Sequence, residues 1–496
     1  MNKYDLVVVG SGAGFIVLDA ALERGLSCAL VEKDQFGGTC LNRGCIPSKM
    51  LVYPADLIRE AERAPKLGVD LGKPKVDWQR LGERMFEKIN MNKYIREEYL
   101  DTPNLDVYEG TAAFVDEHTM QVTLKDGTVS PPFTAQRFVL AGGARSRQPQ
   151  IEGLNTINPV TYETFFGPRF PKKPWKSLTI IGGGIIATEF AHIFSAMGTQ
   201  VTIIGRAPQL LRGEDAEVSE FLADQYRAFG IRLLLAHTAV KASMVGSKKR
   251  VTAQCVQTGK QVDVDSEEVL VASGVVSNAD LLNLRAAKVD IDENNWIKTN
   301  EYLETNQPHI YALGDINGRF AFRHKANHEA EVLAHNLYAN AGRRRVDYSK
   351  VPWAVFSCPQ VARVGLTEQQ AVEAGHKVFV GRNYYSQVAS GYAMGYNEGD
   401  ADDGFVKVIV DEHGTLLGVH IVGFQAAALV QPYVYLMNAA SLPRAQDGHM
   451  HVDVGTYEPV TRSMTIHPAL SELTAWAFDH IDWLNSVAAG IDLQDK

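Results

Sequence analysis

The sequence predicts an α/β fold in which one strand-turn-helix unit occurs twice and a smaller α+β unit closes the chain. Three observations predict it. At roughly 150 residues per domain, 496 residues make about three domains. Hydrophobic residues at 45% and charged residues at 22% are ordinary globular values, which excludes a disordered, collagen-like or coiled-coil chain. Two segments about 172 residues apart, LVVVGSGAG (Leu6 to Gly14) and LTIIGGGIIATE (Leu178 to Glu189), each run from a β-branched strand through a glycine-rich turn into a helix-compatible apolar pattern.

The charge balance narrows the function. With 58 acidic and 49 basic residues the net charge is -9, which argues against a protein that grips a nucleic-acid backbone. Five cysteines are too few for a disulfide scaffold. With no signal-peptide core in MNKYDLVVVG, they suit a reducing cytoplasm, where paired cysteines are catalytic or metal-binding rather than structural. Met1 to Gly10 reads as a buried strand. The most membrane-like stretch, Leu416 to Ala440, carries His420, Gln425, Gln431 and Pro432, and reads as a strand and an interface helix instead of a membrane span.

The paired glycine turns imply two tandem Rossmann-like dinucleotide-binding domains. Gly10, Gly12 and Gly14 let the first backbone turn tightly and approach a pyrophosphate at a helix N-terminus, and Gly182, Gly184 and Ala187 do the same in the second. Phe15 stands where a third glycine is usual. A ring there is expected to loosen strand-helix packing unless the neighbouring helix is shaped for it. Glu32 ends the first copy's second strand, where an acid hydrogen-bonds a free ribose 2′-hydroxyl. The second copy has Gly205 and Arg206 there, with Arg212 six residues on, and two guanidinium groups suit a 2′-phosphate. FAD or NAD is therefore expected in the first fold and NADPH in the second. The plainer reading of the arginines is solvated surface charge.

Next comes GGTCLNRGCIPSK (Gly37 to Lys49). Five residues of regular helix would separate the Cα atoms of Cys40 and Cys45 by about 7.5 Å, beyond disulfide reach, so a bond between them requires a distorted helix start. Gly37, Gly38 and Gly44 permit that distortion. Zinc needs further ligands nearby, and no Cys or His occurs between Cys45 and His118.

This segment resembles the redox-active disulfide segment of the class I pyridine nucleotide-disulfide oxidoreductases, the glutathione reductase and dihydrolipoamide dehydrogenase family. The resemblance spans nearly the whole chain. Ala141 to Gly153 resembles the crossover into the NADPH domain, and TNQPHIYALGD (Thr305 to Asp315) the second FAD motif, where Asp315 would hold the flavin ribitol. HPALSE (His467 to Glu472) resembles the C-terminal His-Glu segment. By resemblance, Cys45 is the thiol beside the flavin and Cys40 the interchange thiol that attacks substrate. His467, supplied across a homodimer interface, is the acid/base, and Glu472 orients it. Lys49 lies near flavin N5 and pairs with Glu189 beside the nicotinamide. Gly38, Thr39 and Ala326 join the FAD contacts and Gly274 the NADPH contacts. The implied organisation is an FAD-binding domain over residues 1–151 and 274–350, an NAD(P)H-binding domain over 152–273, and a C-terminal α+β dimerisation domain over 351–496.

The chemistry suits these residue types. Electrons pass from NADPH through FAD to the cysteine pair, and a Cys40 thiolate attacks a small-molecule disulfide. The leaving thiolate needs a proton, which a histidine titrating near neutral pH can deliver while Glu472 fixes its tautomer. A core or turn histidine is the plainer alternative for His467.

Within the family no cysteine follows Cys358, both Cys40 and Cys45 are present, and the arginines resemble those of glutathione and mycothione reductases. Phe15, HKANHEA (His324 to Ala330) and Val351 to Glu368 resemble the mycothione reductase branch. Dihydrolipoamide dehydrogenase, working with NAD, is the alternative. No metal, nucleic-acid or membrane partner is expected. His324 and His328, spaced i, i+4, lie where the resemblance places a helix N-terminus at the flavin, and His449 and His451 fall in an insertion around Gln446 to Tyr457. Cys28 and Cys255 are expected to be small buried residues. Arg43 either stabilises a thiolate or points to solvent.

Overall fold

The computed structural model describes residues 1–439 and 455–487. The readings of His449 and His451 lie outside the described residues.

The first glycine turn sits in a sheet whose central strands are buried on both faces, which is why they read as unbroken aliphatic runs. Its elements open with β1 (Asn2–Val9), α1 (Gly14–Leu22), β2 (Cys28–Glu32), α2 (Gly38–Arg43), α3 (Cys45–Arg63) and α4 (Met91–Leu100). They continue with β3 (Leu105–Phe114), β4 (Thr119–Leu124) and β5 (Phe133–Leu140).

The second sheet comprises β6 (Val160–Thr161), β7 (Ser177–Ile181), β8 (Gln200–Ile204), β9 (Arg232–Leu234) and β10 (Glu268–Val271). Helix α5 (Ile185–Ala196) follows β7, and α6 (Ala216–Ala228) follows β8. All its pairings are parallel, in the order β9-β8-β7-β10-β6. Phe190, Phe194, Leu222 and Tyr226 cover one face, and a three-stranded antiparallel sheet over residues 237–266 covers the other.

The chain then returns to the first sheet through β11 (Ile310–Ala312) and α7 (Arg323–Tyr338). Strand β11 pairs with β5, so five parallel strands run β3-β2-β1-β5-β11, with β4 antiparallel to β3 and β5. The C-terminal sheet is antiparallel throughout, with β12 (Trp353–Val355), β13 (Gln360–Gly365), β14 (Phe379–Tyr384), β15 (Phe405–Val410) and β16 (Leu416–Gly423). A short helical turn and α8 (Gln431–Ala439) follow β16, in line with the strand-then-helix reading of that apolar stretch. Helix α9 (Ser471–Trp476) packs against this sheet through Leu473.

The internal duplication holds at atomic level. Both parallel sheets reverse their strand order beside the strand that ends in the glycine turn, and this leaves a crevice at the strand ends. In the first, Gly10 has φ +102° and a Cβ there would lie 2.3 Å from the Ala141 oxygen. In the second, Gly182 has φ +130° and its Cβ would lie 2.2 Å from the Ala272 oxygen. Only glycine fits either turn.

The structure decides one open reading and corrects another. Phe15 does not loosen the packing. Gly14 makes the close approach, since a Cβ there would fall 2.8 Å from Val8 Cγ1, while the Phe15 ring stacks on Tyr99 of α4 with centroids 4.2 Å apart and planes 12° apart. Tyr99 is held by donating to Asp19 Oδ1 at 2.8 Å. Cys28 is buried as expected, but Cys255 is only half-buried, because it closes a strand at the outer antiparallel sheet.

Candidate active site

Both crevices open into one cavity of about 2890 Å³ lined by residues from both nucleotide folds and the C-terminal sheet. At the first turn, a Cβ on Gly12 would meet only the Arg323 guanidinium, at 3.7 Å, so the backbone face is open to a phosphate. Gly38 has φ +68°, and its missing side chain lets α2 approach Gly12 Cα to within 2.9 Å of that Cβ position. Glu32 Oε2 accepts from Ser11 N–H at 2.9 Å and from its hydroxyl at 2.7 Å, and Oε1 accepts from Asp34 N–H at 2.8 Å. Ser11 thus fixes the carboxylate at the cavity wall, a role the sequence reading missed.

Asp315 follows β11 and also lines the cavity. Its carboxylate has no hydrogen-bond partner among the described residues, and burial pushes its pKa up while Lys325 opposes the shift. The turn that carries it is clamped from α7. Glu329 Oε2 accepts from Gly314 N–H at 2.7 Å, and Lys325 Nζ donates to the Gly314 carbonyl at 3.1 Å. Thr39 and Ala326 line the same space. An open glycine turn, a fixed acid at the ribose position and an unsatisfied carboxylate farther along fit FAD.

The cysteines meet where the helix breaks. Gly37 starts α2 at φ +91°, and Gly44, at φ −133° and ψ −115°, interrupts the chain before α3 begins at Cys45. Asn42 anchors the short helix by donating to the carbonyls of Phe36 and Gly38, both at 2.9 Å. The two thiols are free and hydrogen-bonded to each other. That hydrogen bond pulls the Cys40 pKa down to about 7 against the effect of burial, with Arg323 and Lys49 adding positive potential. The same bond, with burial, drives Cys45 upward. Arg43 does neither thing expected of it: it pairs with Asp34 at 2.6 Å.

One turn after Cys45, Lys49 Nζ reaches Glu189 Oε1 at 2.8 Å and Oε2 at 2.7 Å, joining α3 to α5. At the second turn, Gly184 has open space where a Cβ would point, and Ala187 is buried. Arg206 and Arg212 are exposed side chains on the cavity wall with no hydrogen-bond or ion-pair partner among the described residues, and Gly274 lines the same cavity.

His467 stands apart. Its Nδ1 lies 2.5 Å from Glu472 Oε1, and Glu472 is buried and accepts from Ala469 N–H at 3.1 Å. The imidazole is 66% exposed and does not line the cavity that holds Cys40. Within one chain the structure does not bring the two together. His324 Nε2 is 2.7 Å from the Pro352 carbonyl oxygen.

A family model described as pyridine nucleotide-disulphide oxidoreductase matches residues 4–330, and the same family's dimerisation domain matches residues 351–478. The chain belongs to the pyridine nucleotide-disulphide oxidoreductases. It is accordingly an FAD-dependent NAD(P)H:disulfide oxidoreductase with a dimerisation domain. Among relatives, the mycothione reductase of Mycobacterium tuberculosis is 34% identical over 485 residues, covering 95% of this chain and 98% of that protein. The mercuric reductase of Lysinibacillus sphaericus is 32% identical over 99% of this chain and 85% of its own length. The dihydrolipoyl dehydrogenase of Bacillus subtilis is 29% identical over 95% and 96%. Among solved structures, the Cu(II) complex of the HOCl-induced flavoprotein disulfide reductase RclA from Escherichia coli superposes with a TM-score of 0.81 at 26% identity, covering 97% of this chain and 99% of that one. Among the described residues, no helix is long and apolar enough to cross a membrane.

Proposed function

We propose that this oxidoreductase reduces a small-molecule disulfide with NADPH, in the manner of a mycothione reductase, as a cytoplasmic homodimer. The observation that carries the NADPH reading is the pair of arginines that follow the second nucleotide fold's β8, Arg206 and Arg212, both on the cavity wall and without partners among the described residues. A 2′-phosphate supplies the anion these guanidinium groups lack. The first fold, residues 1–151 with 274–350, takes FAD at Gly10, Gly12, Gly14, Glu32, Gly38, Thr39, Asp315 and Ala326. The second, residues 152–273, takes NADPH at Gly182, Gly184, Ala187, Arg206, Arg212 and Gly274, and residues 351–496 form the dimer.

When bound, FAD would supply the two-electron relay between the nicotinamide and the cysteine pair. Lys49 and Glu189 hold each other at the junction of the two folds, where they would flank the bound flavin and nicotinamide. Cys40 thiolate attacks one sulfur of the substrate, and its S–S bond breaks as a Cys40 mixed disulfide forms. The departing thiolate takes a proton from His467 of the partner subunit, kept upright by the buried Glu472 carboxylate. Cys45 then gives its proton to the partner's His467 and attacks the Cys40 sulfur; the bond between Cys40 and the substrate sulfur breaks, and the second thiolate leaves with that proton. The exposure of His467 supports its use across a dimer interface.

The test is NADPH oxidation against glutathione disulfide, mycothione, coenzyme A disulfide, lipoamide and bacillithiol disulfide. Turnover of mycothione above the others is the expected result. Lipoamide turnover with a strong NADH preference would instead establish the second reading, a dihydrolipoamide dehydrogenase, which the 29% identical relative of that name favours.

A further inference from the structure

Arg212 sits between two residues in the left-handed region, Leu211 at φ +51° and Gly213 at φ +94°. A leucine is strained there, and such strain persists only where the surroundings over-determine the backbone. Those surroundings come from two sides. Leu211 N–H donates to the Gly183 carbonyl of the coenzyme turn at 2.8 Å, with its side chain buried. On the other side, Arg363 of β13 donates from Nη1 to the Gly213 carbonyl at 2.6 Å.

The next residue carries the hold into the C-terminal sheet. Glu214 Oε1 lies 2.6 Å from Nδ1 of His420 on β16, whose Nε2 faces the Leu366 carbonyl oxygen at 2.9 Å. Both ring nitrogens thus face oxygen atoms, which fixes the orientation of the imidazole. Glu214 Oε2 faces Arg363 Nε at 3.9 Å, and both the Glu214 and His420 side chains are fully buried. Beyond them, Asp215 accepts from Lys407 at 3.1 Å, and Lys407 also reaches Glu217 and Glu368, each at 2.6 Å. Burying so many charges is costly for stability, whereas their mutual geometry is narrowly defined.

We infer that Arg363, Glu214 and His420 are positioning residues that hold the Arg212 loop against the coenzyme turn, so that the C-terminal sheet sets the preference for a 2′-phosphorylated coenzyme. This rests on the NADPH reading above. Their substitution loosens one loop at the phosphate end and leaves the shared part of the coenzyme site alone.

The test measures NADP⁺ and NAD⁺ dissociation constants by calorimetry on the full-length holoenzyme, with FAD content and Tm recorded. Arg363→Gln is expected to weaken NADP⁺ about tenfold with little change for NAD⁺, as loss of a charge-assisted hydrogen bond implies. Arg363→Lys, which keeps a donor, restores part of the difference. Equal weakening of both coenzymes, or none of either, overturns the inference. If Arg363→Gln does not fold, Leu211→Gly relaxes the same turn without touching the charges and is expected to give the same selective loss; an unchanged ratio overturns the inference. Arg212→Gln separates the two levels. If it abolishes the NADP⁺ preference while Arg363→Gln does not, the positioning role fails and the NADPH reading stands. If it leaves the ratio untouched, the NADPH reading itself fails.

Discussion

Lys49 Nζ lies 2.8 and 2.7 Å from the two carboxylate oxygens of Glu189, and Glu189 Oε1 also accepts from Phe356 N–H at 3.1 Å. One ion pair therefore ties the cysteine helix α3, the coenzyme helix α5 and the entrance to the C-terminal sheet. Misplacing reacting groups by about 1 Å can cost on the order of 100-fold. Glu189→Gln is expected to slow flavin reduction by NADPH by roughly 10- to 100-fold. Stopped-flow absorbance at saturating NADPH reads this directly, and an unchanged rate argues against a role at the nicotinamide.

Thiolate character should separate the two cysteines. The pKa of Cys40 is pulled to about 7 chiefly by the hydrogen bond from Cys45, whereas Cys45 is pushed up. A lowered pKa means that the thiolate is lost as pH falls through about 7 and is present above it. In the reduced enzyme, iodoacetamide is expected to alkylate Cys40 first, at a rate that climbs between pH 6 and pH 8, about one unit either side. Peptide mass mapping after partial labelling shows which thiol reacted, and Cys45 labelled first would reverse the assignment.

His467 and Glu472 predict a split between half-reactions. General acid catalysis contributes about 10²- to 10⁴-fold, so His467→Gln is expected to lower disulfide turnover by that order. Flavin reduction by NADPH stays at its normal rate, because the imidazole lies outside the cavity. Glu472→Gln falls between, through loss of the 2.5 Å contact that orients the ring. Equal loss in both half-reactions would point to a folding defect instead.

The arginine pair makes a coenzyme prediction. Each charge-assisted contact to a phosphate is worth about 1.5–3 kcal/mol, so Arg206→Gln is expected to raise KM for NADPH roughly 10- to 100-fold. KM for NADH should hold constant. Steady-state rates with both coenzymes decide it.

Phe15 and Tyr99 predict a stability effect. Stacked rings add roughly 0.5–1.5 kcal/mol beyond the area they bury. Phe15→Ala is expected to lower the unfolding free energy measured by urea titration by at least that much while leaving FAD content unchanged, and a neutral result would mean α4 does not brace α1.

Much of the fold was readable because its signals are local. Gly10 and Gly182 are required by turns whose φ values no other residue tolerates, and the aliphatic runs of β1 and β7 are required by burial on both faces. The burial of Cys255 was misjudged because alternation in a strand says which side chains share a face, not whether that face is covered. The consequence of Phe15 was left open because the ring that receives it is 84 residues away, on a helix whose placement no local pattern encodes.

The same division runs through the site. Residue types alone specified two nucleotide folds, a cysteine pair that needs a helix break, and an oxidoreductase family, since glycine geometry and thiol chemistry belong to the residues themselves. Folding supplied what depends on distance and dielectric. It pulled the Cys40 pKa down while pushing that of Cys45 up, turned Arg43 toward Asp34, and left Arg206 and Arg212 without partners among the described residues. Charges act over a few ångströms through a medium shaped by burial, and both quantities exist only once segments hundreds of residues apart have been packed together.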